Sequence, residues 1–127
     1  MLDKDPITAA AVDLGSNTFH LVIAQVQPPR ISVLDRIREP VRLAAGFDEN
    51  SCLTPEASER ALACLERFGE RLRHIQPQNV RIVGTNALRK AKNCQEFLEK
   101  AKQVLGNQVD VISGYEEARL IYAGVTN

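Results

Sequence analysis

The run AAAVDLGSNTFHLVIAQV, residues 9–26, is apolar at both ends and breaks in the middle on an acid, a glycine and small polar residues. Its two arms predict strands over 8–14 and 19–27, joined by Gly15–Thr18, a hairpin-length connection. Pro28-Pro29 ends the second arm, and the rough alternation of Ile31, Val33 and Ile37 predicts a third strand over 31–39. Residues 40–53, with Pro40, Gly46 and Asn50, read as loop. Thr54-Pro55 is a helix start, with threonine as N-cap and proline in the first turn. Ala61, Leu65, Phe68, Leu72 and Ile75 then recur at helical spacing, and Pro77 is expected to close the helix.

Further on, VRIVG (80–84) predicts a fourth strand and 85–106 a helix with a break near Asn93 and Gly106 as C-cap. VDVIS (109–113) predicts a fifth strand and 114–125 a last helix. The order is therefore βββαβαβα. Three strands can form an antiparallel meander, and two more can add in parallel through helical crossovers. The expected class is α/β, a mixed five-stranded sheet. This order resembles the ribonuclease-H-like fold that the actin, hexokinase and Hsp70 superfamily uses twice.

Composition narrows the field. The chain has 127 residues, a single-domain length, and 44% of them are hydrophobic, enough for a core. Lys+Arg and Asp+Glu are both 16, so no bulk charge points to nucleic acid or a membrane surface, and any anion site must be local. Cys52, Cys64 and Cys94 fit neither a metal pattern nor a disulfide framework and read as free thiols in a reducing cytoplasm. The N-terminal MLDKDPIT lacks the features of a signal peptide, and no apolar run reaches the ~20 residues of a membrane span. His74 reads as a partner of a helix end and His20 as a strand residue, neither as a metal ligand.

Three polar stretches can carry chemistry. In 13-DLGSNT-18, Gly15 permits close backbone approach, and the amides of a tight turn with Ser16, Asn17 and Thr18 make an anion-binding concavity. Asp13 beside it would repel phosphate unless a cation intervened, which suggests phosphate with Mg²⁺; an Asx-type turn is the alternative. In 84-GTNALRKAKN-93, Arg89 falls one turn into a helix whose N-terminus attracts anions, and its planar fork suits phosphate oxygens. Lys90 and Lys92 read as a solvated helix face. In 113-SGYEEARL-120, Ser113 and Glu116 form a capping box, whereas Glu117 lies near Leu120 and Ile121, an environment that raises a carboxyl pKa and suits a general base; a plain surface glutamate is the alternative. Thr85 and Ser113 each follow a parallel strand, where open sheets gather ligands, so one cleft could receive all three stretches.

VDLGSNTFHLVIAQV, GTNALRKAKN and ISGYEEARLIYAGV, with the helix LTPEASERALACLERF, resemble motifs of the exopolyphosphatase/guanosine pentaphosphate phosphohydrolase family from about residue 9 onward. The resemblance implies removal of a terminal phosphate from inorganic polyphosphate, from guanosine pentaphosphate, or from both, with Mg²⁺ as metal. It implies Asp13 as metal-holding acid, Gly15, Ser16, Asn17 and Thr18 as the phosphate loop, Arg89 as phosphate grip and Glu117 as the base that activates water. That family carries a second loop, D-I-G-G-G-S-T-E, which is not found here. Residues 1–127 are therefore expected to be the first lobe of a longer cytoplasmic enzyme and inactive alone, with a homodimer of the longer protein left open. A kinase lobe of the same superfamily, a ribonuclease-H-like nuclease and a guanosine tetraphosphate sensor without turnover are the rivals.

Overall fold

The computed structural model describes residues 5–50, 52–84, 88 and 94–111. Strands β1 (Ile7–Leu14), β2 (Thr18–Gln27) and β3 (Arg30–Pro40) are followed by helix α1 (Pro55–Leu72), strand β4 (Val80–Gly84), helix α2 (Cys94–Leu105) and strand β5 (Asp110–Val111). Single 3-10 turns occupy Leu43–Gly46 and Pro77–Asn79. The helix expected over 114–125 and the first part of the helix expected from residue 85 lie outside the described residues, apart from Leu88, which is helical and fully buried.

The five strands form one sheet in the order β3-β2-β1-β4-β5. β1–β2 and β2–β3 are antiparallel, while β1–β4 and β4–β5 are parallel, as the meander and the helical connections require. Side chains alternate between the two faces. Ala10, Val12 and Leu14 of β1 share a face with Phe19 and Leu21 of β2 and Ile82 of β4. That face forms one core with Leu65 and Phe68 of α1 and Phe97 and Ala101 of α2. Each large side chain of this set contributes about 1.5–3 kcal/mol from burial. Asp13, with Ala9 and Ala11, belongs to the other face.

Local sequence explains the helix boundaries. Thr54 Oγ1 accepts the N–H of Ala57 at 3.2 Å with Pro55 in the first turn, so α1 starts where its cap is. Its apolar stripe is buried from Ala61 to Leu72, with Cys64 beside it. The helix stops at Leu72, before Pro77; Ile75 continues the buried stripe from a turn, its N–H donating to Leu72 O at 3.0 Å. Gly106, at φ +82°, closes α2 as expected, with its N–H on Lys102 O at 2.8 Å.

β3 is the sheet edge and is mostly exposed, with Leu34 57% accessible at the bulge opposite Ile23/Ala24. Its Asp35 and Glu39 reach α1 through ion pairs with Arg71 and Arg67. Glu39 also takes a hydrogen bond from the Cys64 thiol, which with Arg67 holds its carboxyl below the usual range despite some desolvation. Burial and the Glu39 contact push the Cys64 thiol well up, making it a packed, unreactive sulfur.

Candidate functional site

β1 delivers Asp13 near the loop end of the sheet, one residue before the hairpin. The connection is shorter than the sequence suggests: Thr18 is already the first residue of β2, so the turn itself is Gly15–Asn17. Thr18 is half-buried and Ser16 and Asn17 are exposed. Gly15 is required sterically, because a Cβ there would lie 2.8 Å from the Thr18 carbonyl oxygen.

Asp13 stands in register with His20 of β2 and Val83 of β4, and His20 in turn with Arg38 of β3. A row of acid, imidazole and guanidinium thus crosses three strands on the face opposite α1. The Asp13 side chain is half-buried, and its Oδ1 is shut off from water without a hydrogen-bond partner among the described residues. Desolvation pushes its carboxyl up, and the His20 charge partly offsets this. A buried polar atom left unpaired costs stability, so an orphan carboxylate oxygen beside a donor-rich turn is what a small hard cation shared with phosphate would complete. Mg²⁺ is commonly held by one or two carboxylates and substrate phosphate oxygens. Among the described residues no group of three His, Cys, Asp or Glu side chains is placed to hold a metal, so Asp13 fits the shared arrangement rather than an all-protein cage.

The hairpin is clamped from a distance. Asn17 O accepts the N–H groups of Val41 at 2.9 Å and Arg42 at 2.7 Å, and Ser16 O accepts that of Ala44 at 2.7 Å. With these two carbonyls engaged, their lone pairs are turned to the clamp rather than to a ligand, which suits an anion. The segment 41–44 is itself fixed by α1, because Arg60 Nε donates to Val41 O at 2.8 Å and its Nη2 to Arg42 O at 3.5 Å. Arg42 takes a left-handed conformation, φ 56° and ψ 49°, uncommon for any residue but glycine and asparagine. From the sequence this clamp reads as plain loop, since neither Arg42 nor Arg60 belongs to a recognisable motif.

Arg89, Glu117, Glu116, Ser113, Lys90 and Lys92 lie outside the described residues. The strands that precede two of those stretches are described. Leu14 is in register with Gly84, and Gly84 with Val111. The chain therefore leaves β1, β4 and β5 at one edge of the sheet, the carboxyl edge of the parallel strands where ligands bind in open α/β sheets. Asp13 and the Gly15–Asn17 turn are at that edge.

An antiparallel meander extended by parallel strands, with an acid-tipped hairpin at the strand ends, defines the actin-like, ribonuclease-H-like fold class. The sequence model of the Ppx/GppA phosphatase family matches residues 22–127, and the chain belongs to that family. The guanosine-5'-triphosphate,3'-diphosphate pyrophosphatase of Vibrio atlanticus is 50% identical over 96% of this chain and 24% of its own length, and that of Pseudoalteromonas atlantica 52% identical over 91% and 23%. The chain thus spans about a quarter of the length of these curated relatives. Among solved structures, the Aquifex aeolicus member of the Ppx/GppA family superposes with a TM-score of 0.82 at 28% identity, covering 95% of this chain and 40% of that one. An exopolyphosphatase from Cytophaga hutchinsonii gives 0.78 at 33% identity, over 93% and 38%.

Proposed function

We propose that this chain is the first lobe of a hydrolase that removes the terminal phosphate of guanosine pentaphosphate. The observation that carries the reading is Asp13: a buried carboxylate oxygen without a partner among the described residues, next to a turn whose Ser16 and Asn17 carbonyls are already engaged. That pairing favours an anion bridged by a cation over a ligand-free turn. Relatives named for guanosine-5'-triphosphate,3'-diphosphate at about half identity favour this substrate over inorganic polyphosphate, which is the second reading through the more distant exopolyphosphatase.

In this reading Gly15, Ser16, Asn17 and Thr18 cradle the terminal phosphate, and Arg89 grips its oxygens. Mg²⁺ held by Asp13 would offset the charge that develops on the phosphoanhydride. Glu117 orients a water molecule and takes its proton as the water oxygen attacks phosphorus, while the diphosphate oxygen leaves. Phosphoryl transfer leaves a protein mainly positioning and electrostatic work, and this division of labour assigns both. The lobe acts with the rest of a longer cytoplasmic enzyme and is inactive by itself.

The test is phosphate release from guanosine pentaphosphate by the full-length protein, with and without an added acceptor. Release without acceptor is expected, which sets the enzyme apart from a kinase; binding without release would identify a sensor instead. Glu117→Gln should lower kcat by ~10²- to 10⁴-fold. Equal rates for that variant and the wild type would remove Glu117 from the mechanism.

A further inference from the structure

We infer that Arg42 binds a second phosphate group of the substrate, beyond the one seated in the Gly15–Asn17 turn; the inference rests on the phosphohydrolase reading above. Three observations converge on this residue. First, its backbone is one hydrogen bond from the turn, with its N–H on Asn17 O at 2.7 Å. Second, its conformation is strained: a non-glycine residue at φ 56° is retained where glycine or asparagine would fit more easily. Such outliers persist where the surroundings enforce them and concentrate at ligand sites. Here the enforcement is visible, because Asn17 O takes the Arg42 N–H and Arg60 Nη2 reaches the Arg42 carbonyl.

Third, the charge is not used within the described part of the fold. The ion pairs among the described residues are Arg67–Glu39, Arg71–Asp35, Arg81–Asp110 and Lys100–Glu96, and neither Arg42 nor Arg60 belongs to one. Arg42 is exposed, and the guanidinium of Arg60 is anchored on the carbonyls of 41–42 next to it. Among the described residues, then, the Arg60 guanidinium of α1 sits on the carbonyls of 41–42, and neither it nor Arg42 has a carboxylate partner. Positive charge without a carboxylate partner favours an anionic ligand. A substrate with several phosphates carries negative charge past the turn, and Arg42 is an exposed cation whose backbone is hydrogen-bonded to that turn. Its guanidinium is a fixed positive charge that can hydrogen-bond a phosphate oxygen.

The experiment exploits the strain. Arg42→Gly and Arg42→Asn suit a left-handed backbone, so they remove the charge without disturbing the fold; Arg42→Lys keeps the charge. Steady-state hydrolysis of guanosine pentaphosphate by the full-length protein is measured for each, with thermal midpoints alongside. The expected result is a KM raised on the order of 10- to 100-fold in Arg42→Gly and Arg42→Asn, in line with a charge-assisted hydrogen bond. Their kcat should stay within about threefold of wild type, their midpoints should not fall, and Arg42→Lys should recover most of the loss. An unchanged KM in Arg42→Gly, or an Arg42→Lys variant as impaired as Arg42→Gly, would overturn the inference. Failure of the underlying reading is distinct: the wild type itself would then release no phosphate.

Discussion

Replacing Asp13 by asparagine should make the protein more stable and less able to engage a metal. The structure leaves Asp13 Oδ1 buried without a partner among the described residues. An orphaned buried polar atom costs about 1–3 kcal/mol. The amide of the Asp13→Asn variant would keep the shape and drop the charge, and the residue is only half-buried, so we expect a gain of about 1 kcal/mol, or roughly 3–6 °C in thermal midpoint for a domain of this size. The pH dependence follows from the direction of the shift. Desolvation raises the folded-state pKa above the ordinary 3.8. The folded wild type therefore holds its proton more tightly than the unfolded chain, and it loses stability as pH rises from that ordinary value through the raised one. The Asp13→Asn variant has no such loss. In a chelating buffer the gain should be full near pH 8 and absent near pH 3. Adding Mg²⁺ with a polyphosphate ligand should then stabilise the wild type and leave the variant unmoved, since only ligands that bind the native state raise its midpoint. Paired melts by circular dichroism at the two pH values suffice. A variant less stable than wild type at pH 8, or a gain that persists at pH 3, would refute the argument that burial disfavours the charge on this carboxylate.

Other positions give sharper structural checks. A Cβ on Gly69 of α1 would lie 2.4 Å from the Val104 carbonyl oxygen of α2, so Gly69→Ala should destabilise by about 1–3 kcal/mol in urea titration, outweighing the ~1 kcal/mol that alanine gains in a helix. Thr54→Ala removes the cap on Ala57 N–H and should cost about 1 kcal/mol by the same assay. Alkylation with iodoacetamide at pH 8, mapped by mass spectrometry, should modify the half-exposed Cys52 while the buried Cys64, its thiol pushed up by burial and by Glu39, reacts only on unfolding.

What can be read from the sequence is what local chemistry decides. Thr54 and Pro55 mark the start of α1 because cap and first turn are neighbours in the chain, and Gly106 marks the end of α2 because its positive φ is a local demand. The mixed sheet follows from element order, since short loops impose antiparallel neighbours and helical connections allow parallel ones. The periodicity places the end of α1 too late because Ile75 keeps the apolar rhythm going after the backbone has left the helix. Thr18 reads as turn because its polar side chain resembles its neighbours, although pairing with Pro40 puts it in β2. Asp13 stands out as an acid in an apolar strand, but its alignment with His20 and Arg38 depends on register across three strands. Arg42 is invisible for the same reason: its conformation is imposed by Asn17 and Arg60, far away along the chain.

The clamp on the hairpin has a consequence for anyone who would transplant it. Residues 13–18 grafted alone into another β-ribbon would carry the right side chains and the wrong curvature, because much of their geometry is dictated by backbone amides at 41, 42 and 44. A working graft would have to bring the returning strap and the arginine that staples it to the helix. The portable unit is a small mosaic assembled from three distant parts of the chain.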